Sequence, residues 1–131
     1  MTEFLNVDQV IELHDIAAGP APVLDMDTLT SAVMRPRAGF GQHDAHPGLF
    51  DKAAALLHGL ASTQCFEDGN KRAAWISTVV FLELNGQIVR DMADIEAEAF
   101  VIAVATSAWT DRTVEKAAEW LEINTVSATT T

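Results

Sequence analysis

The chain is poor in cysteine and in positive charge, and it has no long apolar run. A single cysteine, Cys65, stands among 131 residues, so no internal disulfide can form, which favours a reducing, cytosolic setting. No apolar stretch approaches the roughly 18–20 residues of a membrane span. The start, Met1-Thr2-Glu3-Phe4-Leu5, lacks the basic flank and apolar core expected of a signal peptide. Eight basic residues face nineteen acidic ones, for a net charge of −11. Such a field opposes direct contact with nucleic acid or an anionic membrane; it suits solubility or a basic partner.

What is present is a globular composition, 49% apolar, on a length that fits one domain. We expect that domain over 1–124, with a frayed, disordered tail over 125–131, where the residues are small, polar and β-branched. The pattern is helical throughout. Asn6 and Gln9 form a candidate capping box ahead of Val10, Ile11, Leu13 and Ile16, and Gly19, Pro20 and Pro22 end that helix. Asp25 or Asp27 can cap a second helix through Leu29 and Val33, stopping near Arg35 because Pro36 follows. Pro36 to Gly48 has no helical period and reads as an exposed loop or small hairpin. Helix resumes from Leu49 through Ala61.

The helix opened by Asn70 and Lys71 carries apolar residues on more than one stripe, which predicts the central, most buried helix. Asn85-Gly86 stops it. Gln87 to Arg90 reads as a short extended link, followed by a helix from about Asp91 to Ala108 and a last one capped by Thr110 or Asp111. The fold class is therefore all-α, a bundle of about six helices.

Gln64-Cys-Phe-Glu-Asp-Gly-Asn-Lys-Arg72 carries the chemistry. Gly69 permits a tight turn and close approach of a ligand. The helix start behind it offers free N–H groups and a positive dipole end. Asn70 can brace the turn, and Phe66 can anchor it in the core. Lys71 and Arg72 supply a point charge and a bidentate fork for phosphate oxygens, and Asp68 is an oxygen ligand for Mg²⁺. The same residues would also make an ordinary helix start, with Asp68 as cap and two surface cations.

This stretch resembles the signature of the Fic/Doc family, His-x-Phe-x-Asp/Glu-Gly/Ala-Asn-Gly/Lys-Arg, with Phe66, Asp68, Gly69, Asn70 and the Lys71-Arg72 pair in register. Lys71 points to the Doc-like (death-on-curing) branch of toxin–antitoxin modules. Leu13-His14-Asp15, Pro47 to Leu57 and Phe81 to Gly86 resemble that branch too, so the likeness spans roughly Val7 to Leu121. It implies the compact Fic/Doc helical bundle, with Asp68 as Mg²⁺ ligand and an anion hole at the Gly69–Asn70 backbone. Lys71 and Arg72 would contact ATP phosphates, and Phe40 and Gly41 would lie on a flap that docks the target polypeptide. The implied reaction is transfer of the terminal phosphate of Mg-ATP to elongation factor Tu or a similar translation protein. The implied partner is a Phd-like antitoxin.

Gln64 stands where the family has its general base, a histidine, and an amide cannot take up a proton near neutral pH. A Fic-type AMP-transferase and an inactive, nucleotide- or partner-binding relative are thus alternatives. His43 and His46 on the flap are candidate substitute bases. His14 and His58 read as structural histidines and Cys65 as a buried, inert thiol. Trp75 occupies the place, one turn after Arg72, where AMP-transferring members carry a second arginine.

Overall fold

The computed structural model describes residues 1–128. In order they form α1 (Val7–Ala18), α2 (Met26–Met34), a 3-10 turn (Arg35–Arg37), β1 (Gly39–Phe40), β2 (His43–Asp44) and α3 (Leu49–Ala61). α4 (Asn70–Leu84), β3 (Gln87–Val89), α5 (Asp94–Ala105), α6 (Asp111–Ile123) and β4 (Thr125–Ser127) follow. The fold is predominantly α-helical, with six α-helices and two short antiparallel strand pairs among the described residues. No helix among them is long and apolar enough to cross a membrane.

Local chemistry sets the helix starts. The Asn6 side chain accepts from the Gln9 N–H and the Gln9 side chain accepts from the Asn6 N–H, both at 2.9 Å, closing the capping box. Asp25, not Asp27, caps α2 by accepting from the Thr28 N–H at 3.1 Å. Thr110, not Asp111, caps α6.

The buried axis is α3, which corrects the expectation placed on α4. Every residue from Lys52 to Ala61 is buried, whereas Trp75, Ile76, Val79 and Val80 of α4 are half-exposed. Small side chains decide this. Ala53, Ala54 and Ala55 are fully buried, and a Cβ on Gly59 would sit 3.2 Å from that of Ala32, so neighbouring helices approach α3 closely. Lys52 is tolerated inside because its ammonium donates to the Asp44 carboxylate and to the His46 carbonyl oxygen.

Three further details differ from expectation. Gln87–Val89 is extended, as expected, but it is a paired strand rather than a bare link. Its partner is Thr125–Ser127, antiparallel with Ile88 opposite Val126, where fraying was expected. The β-branched Thr125 and Val126 suit an extended strand, and the Ala128 N–H closes the pair on the Gly86 carbonyl at 2.8 Å. The rest of the expected tail, 129–131, lies outside the described residues. α5 begins at Asp94 rather than Asp91 because the preceding segment is held extended. There the Arg90 N–H donates to the Asn124 carbonyl, and its guanidinium reaches the Asn124 side chain at 2.7 Å and Glu96 at 2.5 Å.

Candidate active site

The loop 64–69 is stitched to the α1–α2 connection. Val23 and Phe66 form an antiparallel bridge, the Leu24 N–H donates to the Cys65 carbonyl, and the Glu67 N–H donates to that of Pro22, both at 2.9 Å. From the other side, Asn70 clasps one residue twice. Its Oδ1 accepts from the Phe66 N–H and its Nδ2 donates to the Phe66 carbonyl, each at 2.9 Å. The bracing expected of Asn70 is thus a two-bond ring closed on Phe66. Phe66 itself is 1% exposed.

Gly69 adopts φ +79°, the left-handed region, and starts α4 as its N-cap. A Cβ there would meet the Ala18 Cβ at 2.5 Å and the His14 Nε2 at 3.1 Å, so glycine is required on two independent grounds. Asp68 does not cap the helix in the ordinary way. Its Oδ1 accepts from the N–H of the very next residue, Gly69, at 2.8 Å. The first main-chain bond of α4 runs from the Ala73 N–H to the Gly69 carbonyl. Among the described residues, the N–H groups of Asn70, Lys71 and Arg72 therefore have no main-chain acceptor, and they face an anion-binding end. The side chains of Lys71 and Arg72 are exposed and make no ion pair among the described residues.

His14 is the residue that sequence reasoning undervalued. It is fully buried, stacks on Phe66 with ring centroids 3.8 Å apart and planes 8° apart, and donates from Nε2 to the Asp68 carbonyl oxygen at 2.8 Å. Its Nδ1 lies 2.9 Å from an Asp15 carboxylate oxygen. The structural role was anticipated, but not that the structure held in place is the loop itself.

Gln64 is exposed and folds back on its own loop: its Nε2 donates to the Phe66 carbonyl at 2.9 Å and to that of Glu67 at 3.2 Å. The contacts of His46 and His58 lead elsewhere. The His46 ring meets Trp109 edge-on at 6.1 Å, and burial, reinforced by the Lys52 charge, lowers its proton affinity. The His58 ring stacks on Trp109 at 4.5 Å and lies between Arg35 and the Ser107 carbonyl oxygen. His43 sits exposed on β2. The Cys65 thiol is fully buried, bonds with the Thr63 hydroxyl, and is pushed up in pKa by that burial.

The β1–β2 hairpin places Gly41, at φ +62°, in its turn and leaves Phe40 90% exposed. Lys52 ties its root to α3, and no bond joins it to Gln64–Arg72 among the described residues. Trp75 packs edge-on against Phe100 and Trp120, each at 6.3 Å, so it belongs to an aromatic cluster.

A Mg²⁺–polyphosphate fits these residues in one respect and constrains them in another. No group of three or more His, Cys, Asp or Glu side chains among the described residues could hold a metal, so Asp68 would act with at most one other such side chain. That is the arrangement Mg²⁺ accepts when phosphate oxygens and water complete its shell. The Gly69 N–H, expected in the anion hole, is already engaged by Asp68, and the unclaimed donors begin at Asn70.

Comparison with known proteins supplies the family. The model of the Fic/DOC family matches residues 4–82, and the chain belongs to that family. A relative named Toxin Doc, from Mycolicibacterium smegmatis, is 44% identical over 108 residues, which is 81% of this chain and 83% of the relative.

Proposed function

We propose that the chain is the toxin of a toxin–antitoxin module, a transferase that moves the terminal phosphate of Mg-ATP to a hydroxyl of a translation protein of the elongation factor Tu kind. The observation that carries this reading is the start of α4: three N–H groups without main-chain acceptors, two exposed cations and a carboxylate, all within Asp68–Arg72. Bound Mg²⁺ would neutralise phosphate charge. The chain's own residues do the rest. The N–H groups of Asn70, Lys71 and Arg72 and the two side-chain cations hold the phosphates. The loop is pre-shaped by Asn70, Gly69 and His14, so little reorganisation is needed on binding.

Gln64 limits the chemistry. Its Nε2 is committed to two loop carbonyls, and its Oε1 can accept a hydrogen bond from the target hydroxyl and orient it without removing the proton. Loss of a general base costs about 10²–10⁴-fold in rate, so this form turns over slowly. Trp75, packed into the aromatic cluster, supports phosphate transfer over AMP transfer, since no second cation stands one turn beyond Arg72. The name of the Mycolicibacterium relative supports a toxin role, and with it a cognate antitoxin of the Phd-like kind acting in the cytoplasm.

A second reading is favoured by the Gln64 geometry alone: a Fic-fold protein that binds nucleotide or partner and transfers nothing. Label transfer from γ-labelled and α-labelled ATP to lysate proteins separates the two, comparing the chain with its Gln64→His form. Transfer of the γ label by either form supports the kinase, and transfer of the α label supports AMP transfer. Silence from both folded forms leaves the binding protein.

A further inference from the structure

A cavity of about 240 Å³ lies between α3, α5 and α6, and none of Gln64 to Arg72 lines it. Its walls include two stacked ring pairs. Phe100 and Trp120 lie 3.7 Å apart with planes 9° apart, and His58 and Trp109 lie 4.5 Å apart at 26°. The lining is aromatic and aliphatic, a surface complementary to a flat hydrophobic body.

The polar groups in the wall narrow the ligand further. Both ring nitrogens of His58 are engaged, one with Arg35 and one with the Ser107 carbonyl oxygen. The Thr113 hydroxyl is spent on the Ala108 and Thr110 carbonyl oxygens. Lys116 is the remaining charged group of the lining; it is exposed and has no ion pair among the described residues. In a chain with nineteen acidic residues and eight basic ones, no carboxylate lines this cavity. An apolar slot with one uncommitted cation and no anion selects a ring that carries a single negative head. Size agrees, since a dry cavity of about 150 Å³ already holds benzene.

We propose that this cavity is a binding site for a small aromatic carboxylate, its ring set among the Phe100–Trp120 and His58–Trp109 pairs and its carboxylate on the Lys116 ammonium. The site is separate from the nucleotide site and does not depend on the transferase reading.

The test uses the full chain and three probes of one shape and different charge: phenylacetate, 2-phenylethanol and 2-phenylethylamine. Binding is followed by titration calorimetry and by the emission of the lining tryptophans. Phenylacetate should bind about tenfold more tightly than the alcohol, as one charge-assisted hydrogen bond provides, and the amine should not bind. Lys116→Met should lower phenylacetate affinity about tenfold, to that of the alcohol, and leave the alcohol unchanged. A Lys71→Ala, Arg72→Ala double variant should bind phenylacetate as the parent does. Three results each overturn the proposal: no saturable binding of phenylacetate, equal affinity for acid and amine, or loss of phenylacetate binding in the double variant with Lys116→Met silent. The last would put the acid on the α4 N-terminus.

Discussion

The His14 imidazole lies directly beneath the Asp68–Gly69 peptide, its Nε2–H donating 2.8 Å to the Asp68 carbonyl oxygen. The donor and acceptor are 54 residues apart in the chain. A buried ring on α1 thus fixes the orientation of the peptide plane from which α4 departs, and the Asp68 side chain is aimed by that plane. Truncating His14 removes a hydrogen bond, a ring stack and buried volume together.

His14→Ala should therefore destabilise the fold by about 2–4 kcal/mol, read from urea or thermal unfolding. It should also weaken ATP binding at a temperature where the variant remains folded. His14→Gln, whose amide can still donate to the carbonyl, should recover part of the ATP affinity even where it recovers little stability.

Gly69→Ala meets two separate penalties, a positive φ and a clash with the Ala18 Cβ, and should cost about 1–3 kcal/mol or more. Pairing it with Ala18→Gly relieves the clash but not the backbone strain. The double variant should regain stability only in part relative to Gly69→Ala, and a double-mutant cycle measures the coupling. Strict additivity would mean that the two residues do not touch.

Lys71→Ala and Arg72→Ala should each weaken ATP binding by about tenfold, the loss of one charge-assisted contact, while changing the unfolding free energy by less than about 0.5 kcal/mol because both side chains are exposed and, among the described residues, make no ion pair. Calorimetric titration with Mg-ATP and urea unfolding of the same samples check the two halves together.

His58 makes stability sensitive to acid. Burial lowers its proton affinity; the bond to the Ser107 carbonyl opposes that shift, and the Arg35 charge adds to it. A neutral ring satisfies both neighbours, with Nε2–H donating to Ser107 and Nδ1 accepting from Arg35. Because the folded value lies below the ordinary 6.5, the unfolded chain binds the proton more readily. Stability is intact above that pH and is lost as pH falls through the folded value. Urea midpoints should decline from pH 7.5 to 5, and His58→Gln should flatten part of the decline. His46 shifts in the same direction and leaves a residual slope.

Ending the chain after Asn124 removes the partner of β3. Three paired positions are lost, Gln87 to Val89, and the unfolding temperature should fall by the equivalent of about 1–3 kcal/mol. An unchanged midpoint would mean that β4 adds nothing.

Much of this architecture was legible in the sequence because its signals are local. The Asn6–Gln9 box, the caps narrowed to Asp25 or Asp27 and to Thr110 or Asp111, and the stops at Pro36 and Gly86 are each written within a few residues. The glycine and asparagine of the loop were legible for the same reason. What escaped depends on contacts distant in sequence. The α3 axis follows from how closely alanine and Gly59 let other helices approach, which periodicity does not encode. β4 exists because Gln87–Val89 is there to pair with it. His14 reads as one more histidine on an amphipathic helix until α1 is folded beneath the loop.

The Val23–Phe66 bridge and its two flanking hydrogen bonds have a consequence for engineering. The nine residues from Gln64 to Arg72 are not a portable cassette. Grafted onto another helical hairpin, they would arrive without the strand-like edge that lines them up and without the imidazole that supports them. The smallest transplantable unit runs from α1 through the first turns of α4, so a designer who wants this phosphate cradle must carry more than half of the protein along with it.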